Sequence, residues 1–62
     1  MISKIGTAAG LVWNALNESS TPMSYEQLKR VTKLTDTMFY LAIGWLARED
    51  KLWYNNECYS LK

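Results

Sequence analysis

A chain of 62 residues, 48% hydrophobic and 21% charged, has the composition of a folded domain rather than a disordered segment. At this length a single domain spanning 1–62 is expected, with a marginal core, because so short a chain buries only about 60% of its unfolded surface. One cysteine and no histidine exclude an intramolecular disulfide and leave no basis for a zinc cluster.

Additional stability must therefore come from unusually good packing or from a second chain. The net charge of +1 lacks the basic excess typical of nucleic-acid-binding domains. No apolar run reaches about 18 residues, so no membrane contact is expected. The opening MISKIGTAAG has one lysine and no continuous apolar block of signal-peptide length, so the expected location is cytoplasmic.

From Ile5, the segment IGTAAGLVWNALNES places Ile5, Ala9, Val12 and Leu16 on one helical stripe. Gly6 and Gly10 weaken this first helix by up to ~1 kcal/mol each relative to alanine. They also permit close backbone approach, so another element is expected to cross there. NESSTPMS ends the helix, with Pro22 holding Thr21 extended. Ser24 and Gln27 then have the spacing of a capping box, and Met23 and Leu28 that of a hydrophobic staple. They predict a second helix from Tyr25 to about Thr32 with Leu28 and Val31 turned inward.

After the turn TKLTD, in which Leu34 is the expected buried residue, Thr35 is placed to cap a third helix running to about Glu49. Asp36 in its first turn complements the helix dipole. At about 100° per residue, Phe39, Ala42, Ile43 and Leu46 form the core face. Met38, Leu41 and Trp45 gather beside it, and Thr37, Tyr40, Gly44 and Ala47 occupy the rest.

KLWYNNECYSL changes to strand composition, with Asn55 and Asn56 as a two-residue type I′ turn. That turn would pair Tyr54 with Glu57, Trp53 with Cys58 and Leu52 with Tyr59. Leu52, Tyr54, Tyr59 and Leu61 would then face the core and Trp53 would lie outside.

Three helices followed by a hairpin give the layout of a winged helix-turn-helix domain, mainly α with a small β hairpin. IGTAAGLVWNALN, MSYEQLKRVTKL and LAIGWLAREDKLWY together resemble a small prokaryotic family of stand-alone winged helix-turn-helix domains of uncharacterised function. The resemblance covers nearly the whole chain, and LAIGWLARE is its most specific piece. One departure is Asp50, where many winged-helix sequences have glycine and where a left-handed backbone is expected to be strained. The tip NNE also lacks the basic residues of a long, groove-entering wing.

The segment Thr35 to Gly44 contains no Arg, Lys, Asn or Gln, the residues that read purine edges. Two readings of its apolar flank remain open. Met38, Leu41 and Trp45 can form a second core layer, or Met38, Leu41, Trp45 and Trp53 can form a contact with a second copy of the chain.

The candidate nucleic-acid contacts are Lys29, Arg30 and Lys33, joined by Thr35, Thr37, Tyr40 and Lys51. Lys29, Arg30 and Lys33 suit a solvated helix end better, since cations there complement the dipole. Nothing in the sequence assembles a catalytic site, a metal site, a cofactor or a small-molecule ligand. The expected function is therefore non-enzymatic, a regulator-like domain that pairs through its third helix and wing. The alternative is a DNA-binding transcription regulator that contacts phosphates with little base readout.

Overall fold

The computed structural model describes residues 2–62, with side chains from Lys4 onward, so Met1 of the expected 1–62 domain lies outside the described residues. Its elements are α1 (Ile2–Ser19), β1 (Met23–Ser24), α2 (Tyr25–Thr32), α3 (Asp36–Arg48), β2 (Leu52–Asn55) and β3 (Cys58–Leu61). The strands form one antiparallel sheet in the order β1-β3-β2. The expected hairpin thus becomes three strands, because Met23 and Ser24 pair with Tyr59 and Cys58.

Local chemistry sets the helix boundaries. α1 stops at Ser19, and the chain turns through Ser20 at φ 62°. The capping box of α2 is complete: Ser24 Oγ accepts from the Gln27 N–H at 3.2 Å and Gln27 Oε1 accepts from the Ser24 N–H at 2.9 Å. α2 closes at Lys33, whose backbone is left-handed and whose N–H donates to the Lys29 carbonyl at 2.9 Å. Thr35 caps α3, its hydroxyl accepting from the Met38 N–H at 3.3 Å.

α3 ends in a Schellman motif, with the Lys51 N–H on the Leu46 carbonyl and the Asp50 N–H on the Ala47 carbonyl, both at 3.0 Å. Asp50 occupies its left-handed position at φ 58°, where glycine is the usual residue.

The core is Ala8, Ala9, Val12, Ala15 and Leu16 of α1, Leu28 of α2, Phe39, Ala42 and Leu46 of α3, and Tyr59 of β3. Its alanines lie on α1 and α3, where their small side chains let the two helices pack closely. Phe39 is fully buried, and the rings of Tyr25, Tyr40 and Tyr59 meet it edge-to-face at centroid distances of 5.2, 5.2 and 5.8 Å. The stripe read from the sequence is recovered, with Ile5 half-buried at its outer end.

Four sequence expectations are corrected. Val31 is 59% exposed, because the inward side of α2 is the row Tyr25, Leu28 and Thr32, and Val31 sits about 60–120° from the members of that row. No close backbone approach is made at Gly6 and Gly10: among the described residues, a Cβ built on either meets nothing within 4 Å.

The hairpin turn is Asn56-Glu57 rather than Asn55-Asn56, with φ of 52° and 62° as type I′ geometry requires. This register pairs Tyr54 with Tyr59 and Leu52 with Leu61, in place of the expected Tyr54–Glu57 and Leu52–Tyr59 pairs, so the Tyr–Glu pair gives way to an apolar one. The strand faces are unchanged by the shift, so Leu52, Tyr59 and Leu61 still lie toward the core and Trp53, 55% exposed, lies outside. Tyr54, expected to face the core with them, is instead 61% exposed, because it sits beside the hairpin turn at the edge strand β2.

Candidate functional site

α3 presents two flanks on either side of its buried face. Trp45 and Tyr40 are five residues apart and so point about 140° apart around the axis. Each flank borders a different part of the fold.

On the first flank, Trp45 and Leu46 form one wall of a groove against Gly6, Ala9, Gly10 and Trp13 of α1, with Glu49 and Lys51 at one end. Trp45 and Met38 are half-buried against the core, whereas Leu41, one turn before Trp45, is 38% exposed and Trp13 is 37% exposed. Among the described residues, nothing comes within 4 Å of a Cβ built on Gly6 or Gly10, so the α1 side of the groove has room for added atoms. Trp53 is not part of this groove. It lies with Pro22, Cys58 and Ser60 on the outer face of the sheet, where the Lys62 ammonium sits 4.4 Å from its ring centroid.

The second flank joins α2. Asp36 Oδ1 accepts a hydrogen bond from the Tyr25 hydroxyl at 2.5 Å and an ion-paired hydrogen bond from the Lys29 ammonium. The Lys29 bond, followed by the Tyr25 bond, holds the Asp36 carboxyl below its ordinary range. The same bond raises Lys29, and the bond to Asp36 is the main cause of the raised Tyr25 phenol. Tyr25 also stacks on Tyr40 at a centroid distance of 5.8 Å and an interplanar angle of 12°.

These contacts distribute the sequence-derived nucleic-acid set unevenly. Lys29 is already neutralised by Asp36. Arg30 and Lys33 are exposed on the second half and C-terminal cap of α2. Thr35 is committed to capping, Thr37 is exposed on the first turn of α3, and Tyr40 is 55% exposed yet held against Tyr25. Lys51 lies beside the α1–α3 groove. The sequence reading missed Trp13 as a lining residue of the groove that Trp45 also lines, since two helical periods taken separately do not show which flanks meet.

The comparisons with known proteins agree with this architecture. The model of a winged helix-turn-helix domain family, DUF2582, matches residues 1–61. The chain belongs to that family. It is also 38% identical over 53 residues to uncharacterized protein MJ1608 of Methanocaldococcus jannaschii, a match spanning 84% of this chain and 76% of that protein. No solved structure gives a significant match. The family gives the domain a regulator-like fold, and fold alone does not assign an activity. Among the described residues, no helix is long and apolar enough to cross a membrane.

Proposed function

We propose that this winged helix-turn-helix domain is a non-enzymatic, regulator-like protein that pairs with a second copy of itself through the α1–α3 groove. The observation that carries the reading is the groove itself: Trp13 and Trp45 line it together with Gly6 and Gly10, and among the described residues nothing comes within 4 Å of a Cβ built on either glycine. Leu41 extends the apolar surface by one helical turn. Gly6 and Gly10, where a built Cβ meets nothing within 4 Å among the described residues, would let a partner helix approach closely.

A few hundred Å² of apolar surface at about 25 cal/mol per Å² contributes several kcal/mol before the entropic cost of association. Such a gain is large beside the roughly 3–9 kcal/mol expected of so small a domain. Under this proposal Trp53 is peripheral, because the sheet face that carries it lies away from the groove. Replacing Leu41 and Trp45 together by alanine should convert a dimer into a monomer. An unchanged oligomeric state in that double variant would refute the reading.

A second reading is favoured by the fold and by the exposure of Arg30 and Lys33. These two cations would contact DNA phosphates, with Lys29 withheld by Asp36. Two phosphate contacts imply a slope of log K against log salt of about −2 and little sequence preference. Reversing both charges should abolish such binding, and an unaffected affinity would remove this reading.

A further inference from the structure

The chain contains four tyrosines, and they converge on one cleft although they come from four different elements. Tyr25 belongs to α2, Tyr40 to α3, Tyr54 to β2 and Tyr59 to β3, and all four line a cleft of about 290 Å³. They form two ring pairs. Tyr25 and Tyr40 stack on the helical side, and Tyr54 and Tyr59 lie 4.8 Å apart at 48° on the hairpin side.

Two of these rings do structural work: Tyr59 is buried in the core, and Tyr25 is half-buried and bonded to Asp36. Tyr40 and Tyr54 remain 55% and 61% exposed, so the cleft has open aromatic surface on both sides. Its remaining charged lining is Glu26, from the first turn of α2, and Glu57, from the hairpin turn. Among the described residues, no lysine or arginine lines it.

Aromatic faces carry negative quadrupole potential, and a cation within about 6 Å of a ring centroid is attracted to it. The Lys29 ammonium, placed by its ion pair with Asp36, lies 5.6 Å from the Tyr25 centroid, within this range. Two carboxylates beside the rings favour positive charge further and repel phosphate. The volume is at the lower end of the range for ligand pockets and suits a head group rather than a drug-sized molecule.

We propose that the cleft between α3 and the hairpin is a binding site for an organic cation, an alkylammonium or guanidinium group. The cation sits against Tyr40 and Tyr54, with Glu26 and Glu57 supplying the counter-charge. The group can arrive on a free amine or on a basic side chain of a protein segment, since both present the same chemistry to the cleft. The site is separate from the α1–α3 groove and stands whether or not the chain pairs.

The test is an NMR titration of the tyrosine ring resonances with choline, its neutral isostere 3,3-dimethylbutan-1-ol, spermidine, and a capped lysine–arginine peptide, all at constant ionic strength. Saturable shifts at Tyr40 and Tyr54 with at least one of the cations, together with their absence for the neutral isostere, are expected. Tyr40→Ala should weaken the binding by about two- to fivefold, the range of an exposed cation–aromatic contact. Glu57→Gln should weaken it as well while leaving the aromatic walls in place, and each variant's spectrum reports whether the fold survives.

Tighter binding of spermidine than of the peptide would identify the source as a free amine, and the reverse order would identify it as a basic protein segment. Equal, non-saturating shifts for choline and its isostere, with none for the other cations, would overturn the proposal. So would saturable binding that is unaffected in both variants.

Discussion

Asp50 stands at the left-handed C′ position of the Schellman motif that ends α3, at φ 58°. A left-handed backbone costs an ordinary L-residue roughly 1–2 kcal/mol, and aspartate somewhat less. Glycine removes that strain but loses up to about 1 kcal/mol through the greater freedom of the unfolded chain. It also removes the ion pair between Asp50 and Lys62, whose carboxylate side is 82% exposed. Exposed pairs contribute about 0–1 kcal/mol.

Asp50→Gly is therefore expected to change stability by less than about 1 kcal/mol, whereas Asp50→Ala loses the ion pair and keeps the strain. The informative quantity is the difference between the two variants, in which the ion-pair loss cancels. Glycine should exceed alanine by about 1 kcal/mol, or about 4–8 °C in thermal midpoint for a domain of this size. Urea and thermal unfolding of both variants, with Lys62→Ala as a separate measure of the pair, check the arithmetic. A glycine variant no more stable than the alanine variant would refute the assignment of strain to this corner.

Two further outcomes follow from local geometry. Glu57 holds φ 62° in a turn whose favoured sequence is Asn-Gly, so Glu57→Gly should raise the unfolding midpoint by up to about 1 kcal/mol of stability. The same variant should bind organic cations more weakly, and a change in only one of these properties would separate the turn from the cleft. Because Asp36 is held below its ordinary pKa by Lys29 and Tyr25, its contribution is present above the unfolded carboxylate range near pH 4 and lost as pH falls through the lower folded value. Lys29 is raised, so its contribution is present at neutral pH and lost only as pH rises through that raised value. Urea midpoints measured from pH 6 downward should therefore fall less steeply for Asp36→Asn than for the natural chain, and parallel profiles would contradict this linkage.

Much of the helical framework was legible because its signals are local. Ser24 and Gln27 marked the start of α2, Thr35 and Asp36 that of α3, and the break around Pro22 the end of α1. β1 was not legible, since a two-residue strand has no period to detect and exists only through its pairing with β3. The hairpin register slipped because both Asn55 and Asn56 tolerate positive φ, so turn chemistry alone could not choose between neighbouring turns. The Tyr54–Tyr59 and Leu52–Leu61 pairs distinguish the observed one.

The glycines of α1 were misread for a related reason. A glycine allows close approach, but the sequence does not say whether the approaching surface belongs to the same chain. The tyrosine cleft was only half legible: the hairpin alternation already puts Tyr54 and Tyr59 on one face, but Tyr25 and Tyr40 come from α2 and α3 and join them only in the folded chain.

The central claim is that the open groove beside Gly10 is the surface on which two copies meet. Gly10→Gln separates that claim from stability, because a Cβ at this position meets nothing in the monomer and glutamine favours helix over glycine by up to about 1 kcal/mol. The decisive measurement is mass by light scattering across a concentration series for the natural chain and for Gly10→Gln. The account expects the natural chain to approach twice its 7.2 kDa mass as concentration rises, while the glutamine variant stays monomeric and at least as stable when dilute. A monomeric natural chain at every concentration, or the same association in both proteins, would contradict it.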